Sequence, residues 1–570
     1  MLILGLNSHE INSSCAISKN GKLVYGSTEE RFTRNKLTKE FPEDSINYFL
    51  KKNNLSIENF DYIGQSWNPA AYMIKYNPLK SKHRIMREDY FYTIPDNLLK
   101  LKKDNIRNTG RFSKLSFDVK KFPEIYFIHH HDCHAASSFF MSKFERSAVL
   151  ICDYKGEFES TSFHLGRGNN LKKIKSFLMP NSLGMFYATI TELLGYKPDQ
   201  DEWKVMALSA LKNKDKTFFK KMKKLYNICP NGVVNFNQEY FRGMNLSMPN
   251  LFTEKMVDLF GRKEFLKKRN FSDWHISVAC ALQNSAEEIC VHYLKELYKI
   301  TKTKKLSVGG GFFMNSVFNG KIIEKTPFDE VYIPYAPTDA GNSIGAAFYI
   351  NHIIKNKPRI NQKFYSQIGP TYTDDEILKV LKNRKIKFRI SKDVGYDCAK
   401  LINENGYIAY FEGKSEFGDR ALGNRSILGD PRKSSIKDEI NKAIKYRESF
   451  RPFAPVTLQD KVSKYFDVSN KFSNNYMEKV IKVKNKFTSK LGAVTHFDNS
   501  ARVQTVYKDS PNRLFNIILE FEKISNLPIL LNTSFNVSGE PMVLTPADAI
   551  NTFFKSGLKV LVLNKFIIIK

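Results

Sequence analysis

Hydrophobic and polar positions at the start of the chain alternate in the way expected of short strands joined by tight turns. An apolar run at residues 2–6 is followed by a polar turn and by a second run at 15–18. Asn20 and Gly21 then form a pair typical of a hairpin turn, and a third strand is expected at 22–27.

The same pattern returns in the middle of the chain. Residues 147–152 are apolar, 153–161 form a polar turn that contains glycine, and 162–176 have the pattern of a hairpin. We therefore expect an internal duplication. The two polar turns could hold phosphates from two sides, because glycine lets backbone N–H groups approach an anion.

A helical period appears at residues 274–298, where small and apolar residues recur on one face. A strand at 305–308 then runs into three glycines, which could let a nucleotide lie against the backbone. A further strand at 331–333 precedes Asp339 and an alanine-rich helix. Asp339 could cap that helix, or it could serve as a metal ligand supplied from a distance.

The pattern changes again in a polar, proline-containing stretch at 355–368. The sequence therefore predicts two domains, at residues 1–360 and 361–570, with α/β and α+β character. A chain of 570 residues is long enough for two or three domains.

The net charge of +31 favours anionic partners, although the abundance of Lys, Asn and Ile gives a compositional explanation for it. Residues 71–121 carry 13 Lys or Arg against 5 Asp or Glu, with aromatic residues between them. This segment is interpreted either as a docking surface for an anionic acceptor or as a solvated insertion.

Cysteine usage and hydropathy indicate a cytoplasmic, soluble protein. The seven cysteines form no C-x-x-C pair, which argues against a disulfide framework and against a thiolate zinc site. The N-terminus has no basic leader, and no apolar stretch approaches membrane-spanning length, so no membrane insertion is expected.

The stretch F-I-H-H-H-D-C-H-A-A-S-S at 127–138 is the first candidate for chemistry. If a helix begins within the histidine run, His130 and His134 share one face and can hold one metal ion. The third ligand must then come from a distance. A zinc-protease motif is not indicated, because His131 stands where that motif has Glu. The alternative is three surface histidines at a strand-to-helix turn.

The C-terminal part contains several arginines that are set among glycine, proline and small polar residues. Arginine forks match phosphate and carboxylate oxygens in a bidentate manner, so this domain is predicted to hold anions. The arginines in question are Arg420, Arg425, Arg432, Arg447, Arg451 and Arg502.

These motifs, in their order along nearly the whole chain, resemble those of the O-carbamoyltransferases of the NodU, CmcH and TobZ type. The matching stretches are E-E-R-F-T-R (29–34), H-H-x-x-H-A-A-S (130–137), S-L-G-M-F-Y (182–187), E-W-K-V-M-A-L (202–208), D-A-G (339–341), E-F-G-x-R-A-L-G-N-R-S-I-L-x-D-P-R (416–432), R-E-S-F-R-P-F-A-P (447–455) and L-L-N-T-S-F-N (530–536). The resemblance implies an N-terminal domain similar to the actin-like ATPases, with duplicated subdomains, and a C-terminal domain similar to YrdC.

The resemblance also implies two half-reactions. The C-terminal domain would join carbamoyl phosphate and Mg²⁺-bound ATP into carbamoyl-adenylate and release pyrophosphate. The N-terminal domain would then transfer the carbamoyl group to an acceptor hydroxyl and release AMP. Because the intermediate is an unstable mixed anhydride, an enclosed path between the domains is expected.

Site residues follow from the same resemblance. A metal, expected to be Fe(II) or another divalent ion, would be held by His130, His134 and Asp339. Carbamoyl phosphate would be bound by Arg420, Arg425, Lys445, Arg447 and Arg451. ATP or the adenylate would contact Gly310, Gly311, Asn315, Asn319, Arg502, Asn532, Thr533, Ser534 and Asn536. The catalytic candidates are His9, Asn12, Glu202 and Lys204.

The chain departs from the family pattern on the acceptor side. Many relatives carry a His and an acid in the first turn, where this chain has Ile11 and Asn12, which leaves His9 as the candidate base. Tyr154 stands where relatives have glycine, and Ser538 where a basic residue is common. The adenylation and metal motifs match, so the acceptor site is where this protein differs.

Three hypotheses about function remain open from the sequence. The first is carbamoylation of a sugar, glycan or secondary metabolite. The second keeps this chemistry but acts on a hydroxymethylated base of DNA, which the positive charge would help to bind. The third is a non-catalytic, nucleotide-binding scaffold. A homodimer is also considered.

Overall fold

The computed structural model describes residues 1–71, 89–101, 106–108, 113–115, 122–211, 216–242, 250–261, 272–446, 451 and 453–570. Most of the basic segment at 71–121 lies outside these residues, and so does Arg447. The prediction that the segment binds an anionic acceptor therefore stays a prediction.

The first sheet of the described chain confirms the strands predicted at the N-terminus. Its order is β3-β2-β1-β4-β5, with β1 antiparallel to β2 and parallel to β4. The strands are β1 (Leu2–Asn7), β2 (Ser14–Lys19), β3 (Lys22–Thr28), β4 (Tyr62–Gln65) and β5 (Glu124–Phe127).

The second sheet repeats the first. Its order is β8-β7-β6-β9-β10, again with antiparallel hairpin strands on one side and parallel strands on the other. The strands are β6 (Arg146–Cys152), β7 (Glu159–Arg167), β8 (Asn170–Leu178), β9 (Lys305–Gly309) and β10 (Glu330–Tyr332). The predicted internal duplication is confirmed, and this part of the fold is α/β, as expected of the actin-like domain.

Helices cover these sheets and continue into the C-terminal part. The longer described helices are α1 (Glu43–Asn53), α2 (Tyr90–Lys100), α3 (His130–Phe140), α4 (Leu183–Leu193), α5 (Glu202–Leu208), α6 (Thr217–Met222), α7 (Glu254–Phe260), α8 (Asp273–Thr301), α9 (Asn342–Phe348), α10 (Asp374–Asn383), α11 (Val394–Asn405), α12 (Ser434–Ile440), α13 (Leu514–Ser525) and α14 (Pro546–Phe554). No helix of the described residues is both long and apolar enough to cross a membrane.

Two of these helices, α3 and α9, pack against each other in the core between the duplicated sheets. A Cβ on Gly345 would lie 1.9 Å from the carbonyl oxygen of Cys133, so only glycine permits this approach. Gly5 permits a similar approach of β1 to α9, because its Cβ would lie 1.8 Å from the carbonyl oxygen of Ser343. The crossing brings the N-terminal ends of α3 and α9 together.

The C-terminal part forms its own mixed sheet, eight-stranded within the described residues, with order β11-β18-β17-β12-β13-β16-β14-β15. Its strands are β11 (Arg389–Ile390), β12 (Tyr407–Phe411), β13 (Arg425–Gly429), β14 (Ala454–Leu458), β15 (Gln504–Val506), β16 (Ile529–Ser534), β17 (Val560–Leu563) and β18 (Phe566–Ile569). Apolar clusters cover both of its faces. The boundary at residue 360 and the likeness to YrdC stay predictions.

The two parts contact each other through polar side chains that bind backbone carbonyls. Arg34 donates to the carbonyl oxygens of Met542 at 2.6 Å and Pro541 at 2.7 Å. Arg31, which is 2% exposed, donates to that of Gly418 at 2.8 Å. These bonds fix the walls of the cleft that contains the candidate site.

Candidate active site

Four side chains from distant parts of the N-terminal half converge on one point. His130 and His134 lie one turn apart on α3, and their Nε2 atoms are 3.1 Å from each other. Asp153, directly after β6, places its Oδ2 3.1 Å from both Nε2 atoms. Asp339, just ahead of α9, places its Oδ1 3.4 Å from both.

This group fits a divalent metal ion. Atoms that bind one ion at about 2.1 Å, at angles between a right angle and the tetrahedral angle, lie roughly 3.0–3.4 Å apart. All four ligand atoms lie within 4.8 Å of one another. Two imidazoles and two carboxylates suit Fe(II), Mn(II) or Zn(II). The geometry brings together the three predicted ligands and adds Asp153 to them.

The histidines and the carboxylates of the group stabilise one another's charged forms. Burial disfavours a charged His130, but Asp339 and Asp153 outweigh it and raise the pKa of this histidine well above its usual value. Burial would likewise raise the pKa of Asp153, yet its bonds to the two histidines hold that pKa well below the usual value. A cation is therefore favoured at the centre of the group, whether a proton or a metal.

Backbone bonds hold the group in place. Glu157 accepts the N–H of His130 at 3.1 Å and that of Asn68 at 2.8 Å, which fixes the start of α3. The second oxygen of Asp153, Oδ1, accepts the N–H of Gly311 at 3.0 Å. Asp153 thus links the metal group to the glycine turn after β9.

The glycine turn needs its glycines. Gly310 has φ +93°, and a Cβ there would lie 2.1 Å from the carbonyl oxygen of Cys152.

Asn315 exchanges two amide hydrogen bonds with Gln283, at 2.9 and 3.1 Å. Asn319 is a different case, because its amide nitrogen donates to two backbone carbonyls and is buried away from the cavity.

One cavity of about 1890 Å³ runs between the two parts of the chain and collects most of the predicted site residues. From the N-terminal half it is lined by Asn12, Asp153, Glu202, Lys204, Gly311, Asn315 and Asp339. From the C-terminal half it is lined by Arg420, Lys445, Arg451, Arg502, Asn532, Thr533, Ser534 and Asn536. The two carboxylates of the metal group and most of the predicted anion-binding residues therefore share one space.

The C-terminal wall carries uncompensated positive charge. Arg502 makes no hydrogen bond or ion pair within the described part of the chain. Burial and the neighbouring Arg420 and Arg451 lower its pKa to about 9. A guanidinium without a carboxylate partner, next to two others, has the charge and the donors that suit an anion such as phosphate.

Arg425 requires a correction. Its side chain is 0% exposed and does not line the cavity. It donates to the backbone carbonyls of Glu412 at 2.7 Å and Gly413 at 3.1 Å, and it stacks on Phe411 at 3.6 Å. The structure therefore assigns it to holding the turn after β12, and the prediction that it binds carbamoyl phosphate directly is not supported. Arg432 is likewise paired, with Asp430 at 2.6 Å.

The side of the cavity that is expected to bind the acceptor contains residues that were predicted from the sequence and one that was not. Glu202 accepts the N–H of Asp199 at 2.6 Å, and burial raises its pKa to about 7. Burial, together with Glu202, also raises the pKa of Asp199 to about 8. Lys204 pairs with Asp201 at 2.9 Å. His9 is not among the cavity residues, and its ring lies 5.2 Å from that of Tyr90.

Sequence reasoning missed Asp153 and Asp199 as site residues. A signal for Asp153 was present, because an acid directly after a buried strand lies at the same sheet edge as the glycine turn after the neighbouring parallel strand. For Asp199, which lies in a polar turn with φ +61°, the sequence offers no comparable signal.

Family comparisons cover most of the chain. A family model described as "Carbamoyltransferase N-terminus" matches residues 2–348, and one described as "Carbamoyltransferase C-terminus" matches residues 399–570.

Individual relatives match over similar lengths. An uncharacterized protein of Synechocystis is 32% identical, over 100% of this chain and 96% of its own length. The nodulation protein NolNO of Sinorhizobium fredii is 31% identical, over 99% of this chain and 80% of its own length. Among solved structures, the activator of 2-hydroxyisocaproyl-CoA dehydratase from Clostridium difficile is similar at 13% identity and a TM-score of 0.31, over 62% of this chain and 96% of that one.

Proposed function

Because the chain belongs to the carbamoyltransferase family, we propose that it is an ATP-dependent O-carbamoyltransferase that works in two half-reactions. The observation that carries the proposal is the cavity of about 1890 Å³, whose walls include both the carboxylates of the metal group and the arginines of the C-terminal half. An intermediate made at one wall can reach the other within this single cavity.

The first half-reaction forms carbamoyl-adenylate. Carbamoyl phosphate, ATP and one water give carbamoyl-adenylate, pyrophosphate and phosphate, so that every phosphorus atom is accounted for. Arg420, Arg451 and Arg502 neutralise phosphate charge and hold the reacting groups in position. Lys445 is held at Ser534 and Asn536, and it donates to the side-chain oxygen of Asn536 at 2.7 Å. Mg²⁺ accompanies the ATP.

The second half-reaction transfers the carbamoyl group to a hydroxyl. The acceptor oxygen attacks the carbonyl carbon, the bond to the adenylate oxygen breaks, and AMP leaves. Glu202, with a pKa near 7, takes the proton of the attacking hydroxyl. Lys204 lies two residues along α5 and contributes positive charge beside the reacting group.

His130, His134, Asp153 and Asp339 would hold Fe(II) or another divalent ion. Such an ion supplies Lewis acidity and stabilises negative charge on the leaving phosphate. The acceptor class proposed is a sugar, glycan or secondary metabolite with a free hydroxyl.

Product analysis on the purified protein, loaded with Fe(II) and given ATP, tests the proposal. Pyrophosphate and phosphate should appear only when carbamoyl phosphate is present. AMP should then increase when a panel of mono- and oligosaccharides is added, and one sugar should gain the mass of a carbamoyl group. Pyrophosphate release that does not require carbamoyl phosphate would refute the first half-reaction. Carbamoylation of hydroxymethylated DNA, with no sugar modified, would refute the acceptor class.

A further inference from the structure

One contact across the cavity joins the two halves of the chain, and neither half-reaction explains it. The guanidinium carbon of Arg451, in the C-terminal half, lies 3.7 Å from the ring centroid of Trp203, on α5 of the N-terminal half. Both residues line the cavity. At this distance the two flat groups are in van der Waals contact, and the face of the ring attracts the positive charge.

The indole ring is held in position by its own end of the cavity. The indole N–H of Trp203 donates to the carbonyl oxygen of Gln200 at 2.9 Å. The ammonium of Lys204, which pairs with Asp201, lies 5.6 Å from the ring centroid. The Trp203 side chain is 36% exposed, so it contributes less to the core than a buried ring would. Its contact with Arg451 is therefore the feature to be explained.

Stacking on a ring leaves the donors of an arginine available. The ring covers a flat face of the guanidinium, whereas the N–H groups point outward in its plane and can still donate to a phosphate. Arg451 shares its wall with Arg420 and Arg502, and like charges repel one another. Before an anion arrives, this repulsion favours a position of Arg451 away from the other two. The ring opposes that movement and reduces the cost of ordering the side chain on binding.

We propose that Trp203 is a positioning residue that acts through Arg451 and holds its guanidinium ready for a phosphate group of the first half-reaction. The proposal rests on the proposed function. It makes anion binding in the C-terminal half depend on a residue of the N-terminal half. Trp203 stands between Glu202 and Lys204, so the helix that carries the transfer residues also helps to build the site for adenylate formation.

The test measures equilibrium binding of carbamoyl phosphate and of inorganic pyrophosphate by calorimetry. Trp203→Leu keeps an apolar side chain but removes the aromatic face, so affinity for both anions should fall about 2- to 30-fold. Trp203→Phe retains a ring and should keep most of the affinity. Unchanged affinity in Trp203→Leu would overturn the proposal. Tighter binding would overturn it as well, because the ring would then be shielding Arg451 from the anion.

A double-mutant cycle shows whether Trp203 acts through Arg451. In an Arg451→Ala background, Trp203→Leu should change the affinity for either anion by less than about 2-fold, because the guanidinium that the ring positions is absent. A loss as large as in the wild-type background would show that the ring acts on the ligand without Arg451, which would overturn the proposal.

Tyr240→Leu is the matched control for the loss of a ring beside a cation. The ring of Tyr240 lies 5.8 Å from the ammonium of Lys255 and is not among the cavity residues, so both affinities should stay unchanged. An equal loss in this variant would mean general destabilisation and would overturn the proposal.

The two half-reactions provide a further distinction. Loss of carbamoyl transfer in Trp203→Leu, with both anion affinities intact, would place Trp203 in the second half-reaction and overturn the assignment. Anion affinity that depends on the pair, in a protein that releases no pyrophosphate, would refute the proposed function and leave the role of Trp203 standing.

Discussion

Asp153 offers a direct test of the metal group, because its two carboxylate oxygens contact different partners. Oδ2 lies 3.1 Å from both histidine Nε2 atoms, which is closer than the 3.4 Å of Asp339, and Oδ1 accepts the N–H of Gly311. In Asp153→Asn, the amide oxygen can keep the bond to Gly311, whereas the amide nitrogen cannot bind a metal. In Asp153→Ala, both functions are lost.

The expected size of the effect follows from this division. Removing one of four ligands should weaken Fe(II) or Co(II) binding by at least about 10- to 100-fold, or roughly 1.4–2.8 kcal/mol, since even residues that only support ligands reach that range. Asp153→Ala should lose a further amount of about 1 kcal/mol in folding stability, from the freed N–H of Gly311.

The assay is competition with a chelator of known affinity, together with the rise in melting temperature on adding metal. At a metal concentration 100 times the wild-type Kd, wild-type protein should gain about 2.7 kcal/mol of stability, and the variant, with 10- to 100-fold weaker binding, should gain only about 1.4 to 0.4 kcal/mol. Asp132→Asn is the matched control, because Asp132 lies on the same helix but pairs with Lys173 at 3.2 Å. Wild-type metal affinity in Asp153→Asn would refute the assignment of Asp153 as a ligand.

Four further outcomes are expected. Asp339→Ala should abolish carbamoyl transfer and leave pyrophosphate release within about 3-fold, since the arginine cluster is untouched; equal loss of both steps would contradict the division of labour. Arg420→Ala should do the reverse and stop pyrophosphate release, and unchanged release would argue against its role. Because the pKa of Glu202 is raised to about 7, its base form is absent well below pH 7 and the transfer rate should rise through that pH; Glu202→Gln should remove this limb, and an unchanged pH profile would exclude Glu202 as the base. Gly345→Ala should destabilise the fold by about 1–3 kcal/mol or more in denaturant titrations, because its Cβ would meet the carbonyl oxygen of Cys133, and a wild-type midpoint would show that the helices can separate at no cost.

The local sequence pattern was sufficient to predict many of the strands and helices, and to place His130 and His134 of the metal group on one helical face. The pattern of apolar residues predicted β1, β2, β3, β6, β9 and β10 to within one residue and the start of the hairpin β7–β8 to within three, because buried faces of strands are apolar. The strands β4 and β5 of the first sheet were not predicted. The spacing of His130 and His134 placed them on one helical face, and α3 does begin at His130. Periods of two and 3.6 residues are properties of short segments, so one sequence can reveal them.

The sequence could not predict which way a side chain points when its partners lie far away along the chain. Arg425 and Arg420 stand in one motif, and both donate to backbone carbonyls, but only Arg420 also lines the cavity. Residue type alone cannot show which of the two guanidinium groups can reach a ligand there. Asp153 was missed for a related reason, since its partners on α3 and beside α9 meet it only through the crossing of the two helices.

The way in which the metal group is assembled has a consequence for folding kinetics. Its ligands come from the end of β6, the start of α3 and the segment before α9, and these meet only when the glycine-mediated crossing of α3 and α9 has formed. Before this crossing forms, His130 and His134 are the two members of the group that lie close in sequence, in a helix that is not yet stable. Metal binding should therefore lag behind the collapse of the N-terminal sheets during refolding. Added metal should slow unfolding more than it accelerates folding, because an ion bound there would stabilise the folded domain and not the transition state that precedes it.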